Sequence, residues 1–180
     1  MVNTLKKNKL IIYAFYFFLY AFIGWCMETL YCVITLGEFH KRGFLYGPIC
    51  PIYGYGALIL ILFFSNYKKN SLKLFFYAGI IFSVFEYIVS FLLDATLKLK
   101  CWDYTNEFFN LNGRITLAFS IAWGFIAILF INHIHPFIRK KVDHLVKKIP
   151  LRVRYTIFNV CFIIFITDTV LSCIKYIKII

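Results

Sequence analysis

Apolar residues run through this chain in stretches of twenty or more, separated by short clusters of Lys, Arg, Asn and Gly. A helix needs about 20 consecutive, mostly apolar residues to cross the hydrocarbon of a bilayer. Four stretches meet that length: Leu10–Leu36, Leu72–Leu97, Ile115–Ile134 and Tyr155–Tyr176. A fifth, Ile49–Ser65, is less regular, because its clean apolar part is Ala57–Phe64. The pattern predicts a single all-α domain with about five transmembrane helices. The Gly/Pro-rich run Gly43–Gly56 precedes the clean part of the second span. Its Pro48 and Pro51 cannot continue a regular helix, and Gly47, Gly54 and Gly56 weaken one further. Irregular backbone survives at membrane depth only where protein or a water-filled cavity surrounds it, so this run is expected to be re-entrant or broken. Between the last two spans, Ile138, Val142, Leu145 and Ile149 recur at helical spacing among Lys and Arg, which predicts an amphipathic helix on the cytoplasmic leaflet.

Composition supports the same class. Of 180 residues, 62 % are hydrophobic and 16 % charged. A soluble domain of this size could not bury that excess. The net charge of +12 does not indicate nucleic acid, because the basic residues sit in runs between spans and not on one soluble face. They act as topology determinants instead. Thirteen Lys and Arg fall on the side of the N-terminus and seven on the other, which predicts a cytoplasmic N-terminus and an external C-terminus in a bacterial cell membrane. Lys6, Lys7 and Lys9 ahead of the first span imitate a signal peptide. With no small-x-small cleavage site after it, the segment reads as a retained anchor.

Four acids interrupt the spans: Glu28, Glu86, Asp94 and Asp168. Each costs about 2.5–3.5 kcal/mol at a helix centre unless it finds a partner, a cavity or a proton. Counted along the helical rise, Glu86 and Asp168 lie about 20 Å from the cytoplasmic ends of their helices and Glu28 about 27 Å. Glu86, Ser90 and Asp94 share one stripe of the third span, and Trp25, Glu28 and Cys32 share one of the first. Arg42 and Arg114 approach from the outer loops, with Ser120 about 9 Å below Arg114. These faces are expected to meet in a polar pocket open to the outside. Scattered acids at the headgroup boundary are the competing reading, which suits Asp94 best.

Other chemistry is not indicated. The six cysteines contain no C-x-x-C pair, and His133 and His135 point apart on a helix, so neither a metal nor a cofactor is expected. A bridge between Cys50 and Cys101 stays open at this stage. The motifs of P-loop nucleotide hydrolysis, G-x-S-x-G hydrolases and zinc proteases are missing from the chain. Asp103, Asn112 and Gly113 favour turns in the loop Lys98–Arg114, where Trp102, Tyr104 and Phe109 suit an interfacial belt.

Several of these residues form longer motifs. Gly24-Trp25 with Glu28, Arg42-Gly-Phe-Leu-Tyr-Gly-Pro-Ile-Cys-Pro-Ile-Tyr-Gly54, and Glu86-Tyr87 with Ser90 are three of them. Trp102-Asp-Tyr-Thr105, Asn110-Leu-Asn-Gly-Arg-Ile115 and Ser120 complete the set. Together they resemble the ABC-transporter type IV family of bacterial membrane proteins, the CmpB-like permeases, over residues 15–130. Cys101 and Thr105 depart from the family pattern, and the fifth span with Asp168 lies beyond the matched stretch. The resemblance implies a permease role without naming a substrate, and a separate ATPase as partner. The small size of the chain suggests a homodimer.

The expected pocket-lining set is Glu28, Arg42, Glu86, Ser90, Asp94, Asn112, Arg114 and Ser120. Two other readings stay open: a membrane-embedded enzyme acting on a lipid or envelope precursor, with a carboxylate base and an arginine on phosphate, and a non-catalytic interaction or immunity protein.

Overall fold

A computed structural model describes residues 2–39 and 41–178. The described residues are 79 % helical. Its helices are α1 (Val2–Leu36), α2 (Pro51–Ile59), α3 (Ser71–Leu97), α4 (Leu117–Leu129), α5 (His135–Lys148) and α6 (Leu151–Ile177). A two-stranded antiparallel hairpin, β1 (Asn110–Leu111) with β2 (Ile115–Thr116), precedes α4. Among the described residues four helices are long and apolar enough to cross a membrane: Lys9–Leu36, Ser71–Leu97, Leu117–Val146 and Leu151–Ile177.

The expected second span is built differently from these. Gly43–Cys50 is non-helical. Helix α2 starts at Pro51, where the missing N–H costs nothing, and runs nine residues into a five-residue π turn, Leu60–Phe64, and then a 3-10 turn, Ser65–Lys69. Gly54 and Gly56 lie buried inside the helix and not in the loop, and Gly54 serves packing. A Cβ on Gly54 would stand 2.7 Å from the Phe17 carbonyl oxygen of α1.

A second difference falls at Pro136. The expected fourth span ends at Ile134 ahead of a separate amphipathic helix, yet α4 and α5 form one continuous helical span. A π turn at Phe130–Ile134 widens the ladder just before Pro136, and such a turn absorbs a residue that cannot donate. The inward face of α5 is His135, Val142 and Val146, whereas Leu145 is exposed.

Helix ends follow from identifiable caps. Gly37 takes φ +72° after α1, and its N–H donates to Val33. Lys98 takes the left-handed conformation after α3 and donates to Asp94. Asn70 and Thr116 cap the N-termini of α3 and α4 by accepting from Lys73 and Phe119, each satisfying a backbone donor the helix leaves orphaned.

The chain divides into two compact units. The first comprises residues 1–58 and 144–175, with α1, most of α2 and α6. Its α1–α2 contact is close, because a Cβ on Gly24 would overlap the Tyr53 ring at 2.3 Å. The second comprises residues 59–143 and 176–180. Its α3–α4 contact uses the same device, with Gly79 against Ser120 and Gly124 against Phe75. Small residues that let backbones approach are how membrane helices gain packing without a hydrophobic drive.

Candidate functional site

In the first unit the loop Gly43–Cys50 is folded onto α1 and α6. The Cys50 N–H donates to the Ala21 carbonyl at 3.0 Å, near the middle of α1. Glu28 accepts from the Tyr53 hydroxyl at 2.8 Å and faces the Cys50 thiol at 3.9 Å. Arg42 donates through Nε to the Cys32 sulfur, and its carbonyl accepts from the Trp25 indole at 3.1 Å. That contact with Cys32, on the stripe shared with Glu28, holds the Arg42 guanidinium further above its ordinary range. Lys41 donates to the Tyr46 carbonyl, so both basic residues of the loop help pin it.

Asp168 on α6 holds this loop from a second side. Its two oxygens accept the backbone N–H groups of Tyr46 at 2.8 Å and Gly47 at 2.7 Å, and Ser172 donates from one turn further on. A carboxylate on consecutive backbone N–H groups has an anion nest, and charge-assisted bonds of this kind are about twice as strong as neutral ones. The sequence placed Asp168 at depth but outside the expected site set. Its partners are backbone atoms more than a hundred positions away, which no side-chain pattern reports.

In the second unit the loop Leu99–Arg114 covers α3 and α4. Glu86 is 6 % exposed. It accepts from the Tyr104 hydroxyl at 3.2 Å and from the Trp123 indole at 2.8 Å. Arg114 donates to Asp94 at 2.7 Å and to Ser90 at 3.2 Å, both on the stripe of α3 that also carries Glu86. The hairpin aims Arg114: Asn112 and Gly113 sit at positive φ, and the Arg114 N–H closes the turn onto Leu111 at 3.0 Å. A Cβ on Gly113 would also stand 2.5 Å from the Thr105 hydroxyl, so the turn needs glycine on two counts. The Trp102 indole donates to the Arg114 carbonyl at 2.9 Å, and Asn112 donates to the Tyr87 hydroxyl at 2.9 Å. Ser120 receives the Ser83 hydroxyl at 2.6 Å.

Glu86, Ser90, Asp94, Asn112, Arg114 and Ser120 therefore belong to the second unit, and Glu28 and Arg42 to the first. Asp94 forms an ion pair with Arg114 at 2.7 Å. An open groove of about 500 Å³ between α3 and α4 is lined mainly by apolar residues such as Phe76, Ile80, Val84 and Ile121. Of the expected site residues in this unit, Ser120 contributes to its wall. Among the described residues no group of three or more His, Cys, Asp or Glu could hold a metal ion. Tyr53, Tyr104, Trp102 and Trp123 are the polar contributors that sequence reasoning missed as donors. Their signal was faint because aromatic residues are abundant throughout the chain, at 21 %.

These are paired polar clusters inside an apolar helical scaffold, the organisation of a membrane protein. The chain belongs to the family described as Putative ABC-transporter type IV, whose profile it matches over residues 15–173. The match runs well past residue 130 and takes in α6 with Asp168, which the shorter resemblance left out. No curated protein and no solved structure matches the chain.

Proposed function

We propose that the chain is the permease-like membrane subunit of a bacterial transporter, with a separate ATPase supplying the energy. Family membership and four apolar helices of spanning length support this. The observation that carries it is Glu86: a carboxylate inside an apolar helix, gripped by two aromatic donors and followed along the same stripe by an Arg114-bound serine and aspartate. Ionisable groups at such depth mark substrate or ion pathways in membrane proteins. Glu28 and Arg42 are the substrate-facing residues of the first unit and Glu86, Ser90, Asp94, Asn112, Arg114 and Ser120 those of the second, with the N-terminus inside the cell and the C-terminus outside. Gly43–Cys50 is re-entrant in this reading, supported by the Cys50 bond to Ala21 midway along α1.

Purification of the tagged chain from cross-linked native membranes tests the reading. A P-loop ATPase is expected to accompany it, with Mg-ATP hydrolysis by the complex. Repeated recovery without an ATPase, and hydrolysis at background, overturns the coupling.

A further inference from the structure

Each unit contains the same arrangement. Helix α1 carries Phe17, Glu28 and Cys32; α3 carries Phe75, Glu86 and Ser90 at identical intervals. The glycine that meets the phenylalanine is Gly54 in one unit and Gly124 in the other, with Cβ positions 2.7 and 2.9 Å from the carbonyl oxygens of Phe17 and Phe75. The residue immediately before that glycine, Tyr53 or Trp123, donates to the glutamate at 2.8 Å in both. An arginine from the intervening loop donates to the residue one turn after the glutamate, Arg42 to Cys32 and Arg114 to Ser90. A tryptophan indole also donates to the carbonyl of that same arginine, though from different places: Trp25 on α1 at 3.1 Å and Trp102 in the loop after α3 at 2.9 Å. Two glutamates, two arginines and two aromatic donors in matching roles are hard to reach independently, so helix–loop–helix duplication is the economical origin.

The copies differ at one decisive place. Two turns after the glutamate stands Asp94 in the second copy, where it takes the Arg114 Nη2 donor at 2.7 Å. The corresponding residue of the first copy is Leu36, which has no charge and is 58 % exposed. Among the described residues Arg42 bonds through Nε to Cys32 and forms no ion pair within 4.0 Å. Glu28 is close enough for its charge to act on Arg42, but its oxygens already face Tyr53 and Cys50. The terminal guanidinium nitrogens, the fork that matches carboxylate and phosphate, are left for another partner.

We infer that the two units are duplicated modules and that Arg42 binds the anionic oxygen group of a ligand, a carboxylate or phosphate, in the position Asp94 fills internally in the second copy. The group can belong to a lipid headgroup or to a water-soluble anion. This deepens the substrate-facing role proposed for Arg42, so the assay uses the chain alone and needs no ATPase.

The chain is reconstituted in phosphatidylcholine nanodiscs. Inorganic phosphate is titrated in one arm, followed by phosphorus NMR line broadening. In the other, phosphatidylglycerol is doped in and retained lipid is counted by native mass spectrometry. The wild-type chain is expected to bind at least one of the two probes. A response to phosphate identifies a soluble anion, and a response to phosphatidylglycerol a headgroup. Arg42→Gln is expected to weaken that binding about tenfold or more, the loss of a charge-assisted pair. Leu36→Asp supplies the missing internal carboxylate, and is expected to weaken binding equally while the melting midpoint stays level or rises. Asp94→Leu is expected to create a second equivalent of binding at Arg114. Wild-type affinity in both Arg42→Gln and Leu36→Asp, or no binding of either probe by the wild-type chain, overturns the inference. An ATPase recovered alongside such results would leave the transporter reading standing without it.

Discussion

The carboxylate of Asp168 accepts the backbone N–H of Gly47 at 2.7 Å while its other oxygen takes that of Tyr46. One acid in an apolar helix thereby orders a loop that has no regular secondary structure. Replacement by asparagine swaps one acceptor oxygen for a donor facing a donor. Asp168→Asn is expected to cost about 1–3 kcal/mol, the usual penalty for a backbone donor left unmade. Thermal unfolding in detergent reads the loss. Maleimide labelling of Ile49→Cys should quicken in the same background, and an unchanged midpoint with unchanged labelling would refute the anchoring role.

Gly47 belongs to the same relationship from the other side. A Cβ there would stand 2.9 Å from the Asp168 oxygen, so Gly47→Ala must push the carboxylate off its nest. Its effect and that of Asp168→Asn should be strongly non-additive, because both break one contact. A double variant as destabilised as the sum of the two would show that they act separately.

Glu86 is the corresponding keystone of the second unit. Glu86→Ala removes the acceptor of the Trp123 indole and leaves a cavity, with an expected loss of about 2–4 kcal/mol. Glu86→Gln keeps one acceptor oxygen and should lose less than half of that. Tryptophan fluorescence is the second readout, since Trp123 would change its hydrogen bonding. Equal midpoints for Glu86→Ala and the wild type would exclude a structural grip by this residue.

Packing between α3 and α4 depends on Gly124. A Cβ there would lie 2.6 Å from the Phe75 ring and 2.9 Å from its carbonyl oxygen. Backbone cannot give way as a side chain can, so Gly124→Ala is expected to cost about 1–3 kcal/mol by overpacking. Differential scanning of the purified protein measures it, and a neutral result would mean that the helices sit further apart.

Asp103 supplies a pH dependence outside the spans. The Thr105 hydroxyl, followed by its N–H, holds this carboxyl below the usual range. A group depressed in the folded state contributes order above its unfolded pKa and loses it as pH falls through the folded one. The turn around Trp102 should therefore loosen in acid, and Thr105→Val should move that loss to higher pH. Trp102 fluorescence against pH tests it; an unshifted curve in the variant would remove Thr105 as the cause.

Much of the scaffold is written in hydrophobic length alone. Lys9–Leu36, Ser71–Leu97 and Leu151–Ile177 need no tertiary information, because a run of that length and polarity has no stable alternative to a membrane helix. The shared stripe of Glu86, Ser90 and Asp94 was legible for a similar reason, since helical period puts them on one face and Arg114 meets two of them. The fourth span runs past its expected end at Ile134, because whether a helix continues through a proline such as Pro136 depends on whether the preceding turn can widen. Gly54 misled in a similar way: a glycine read from sequence looks like a breaker, while in the fold it is a point of contact.

The sequence by itself determined that this chain belongs in a membrane, where its longest apolar helices run, and which acids fall within them, because each of these is a property of a segment counted along its own axis. Tertiary structure alone decided what those acids do. It gave Asp168 a backbone nest, gave Glu86 and Glu28 aromatic donors, and set Arg114 against Asp94 while leaving Arg42 with Cys32. Such partnerships join residues distant in the chain, and their energy depends on hydrogen-bond geometry that periodicity does not carry.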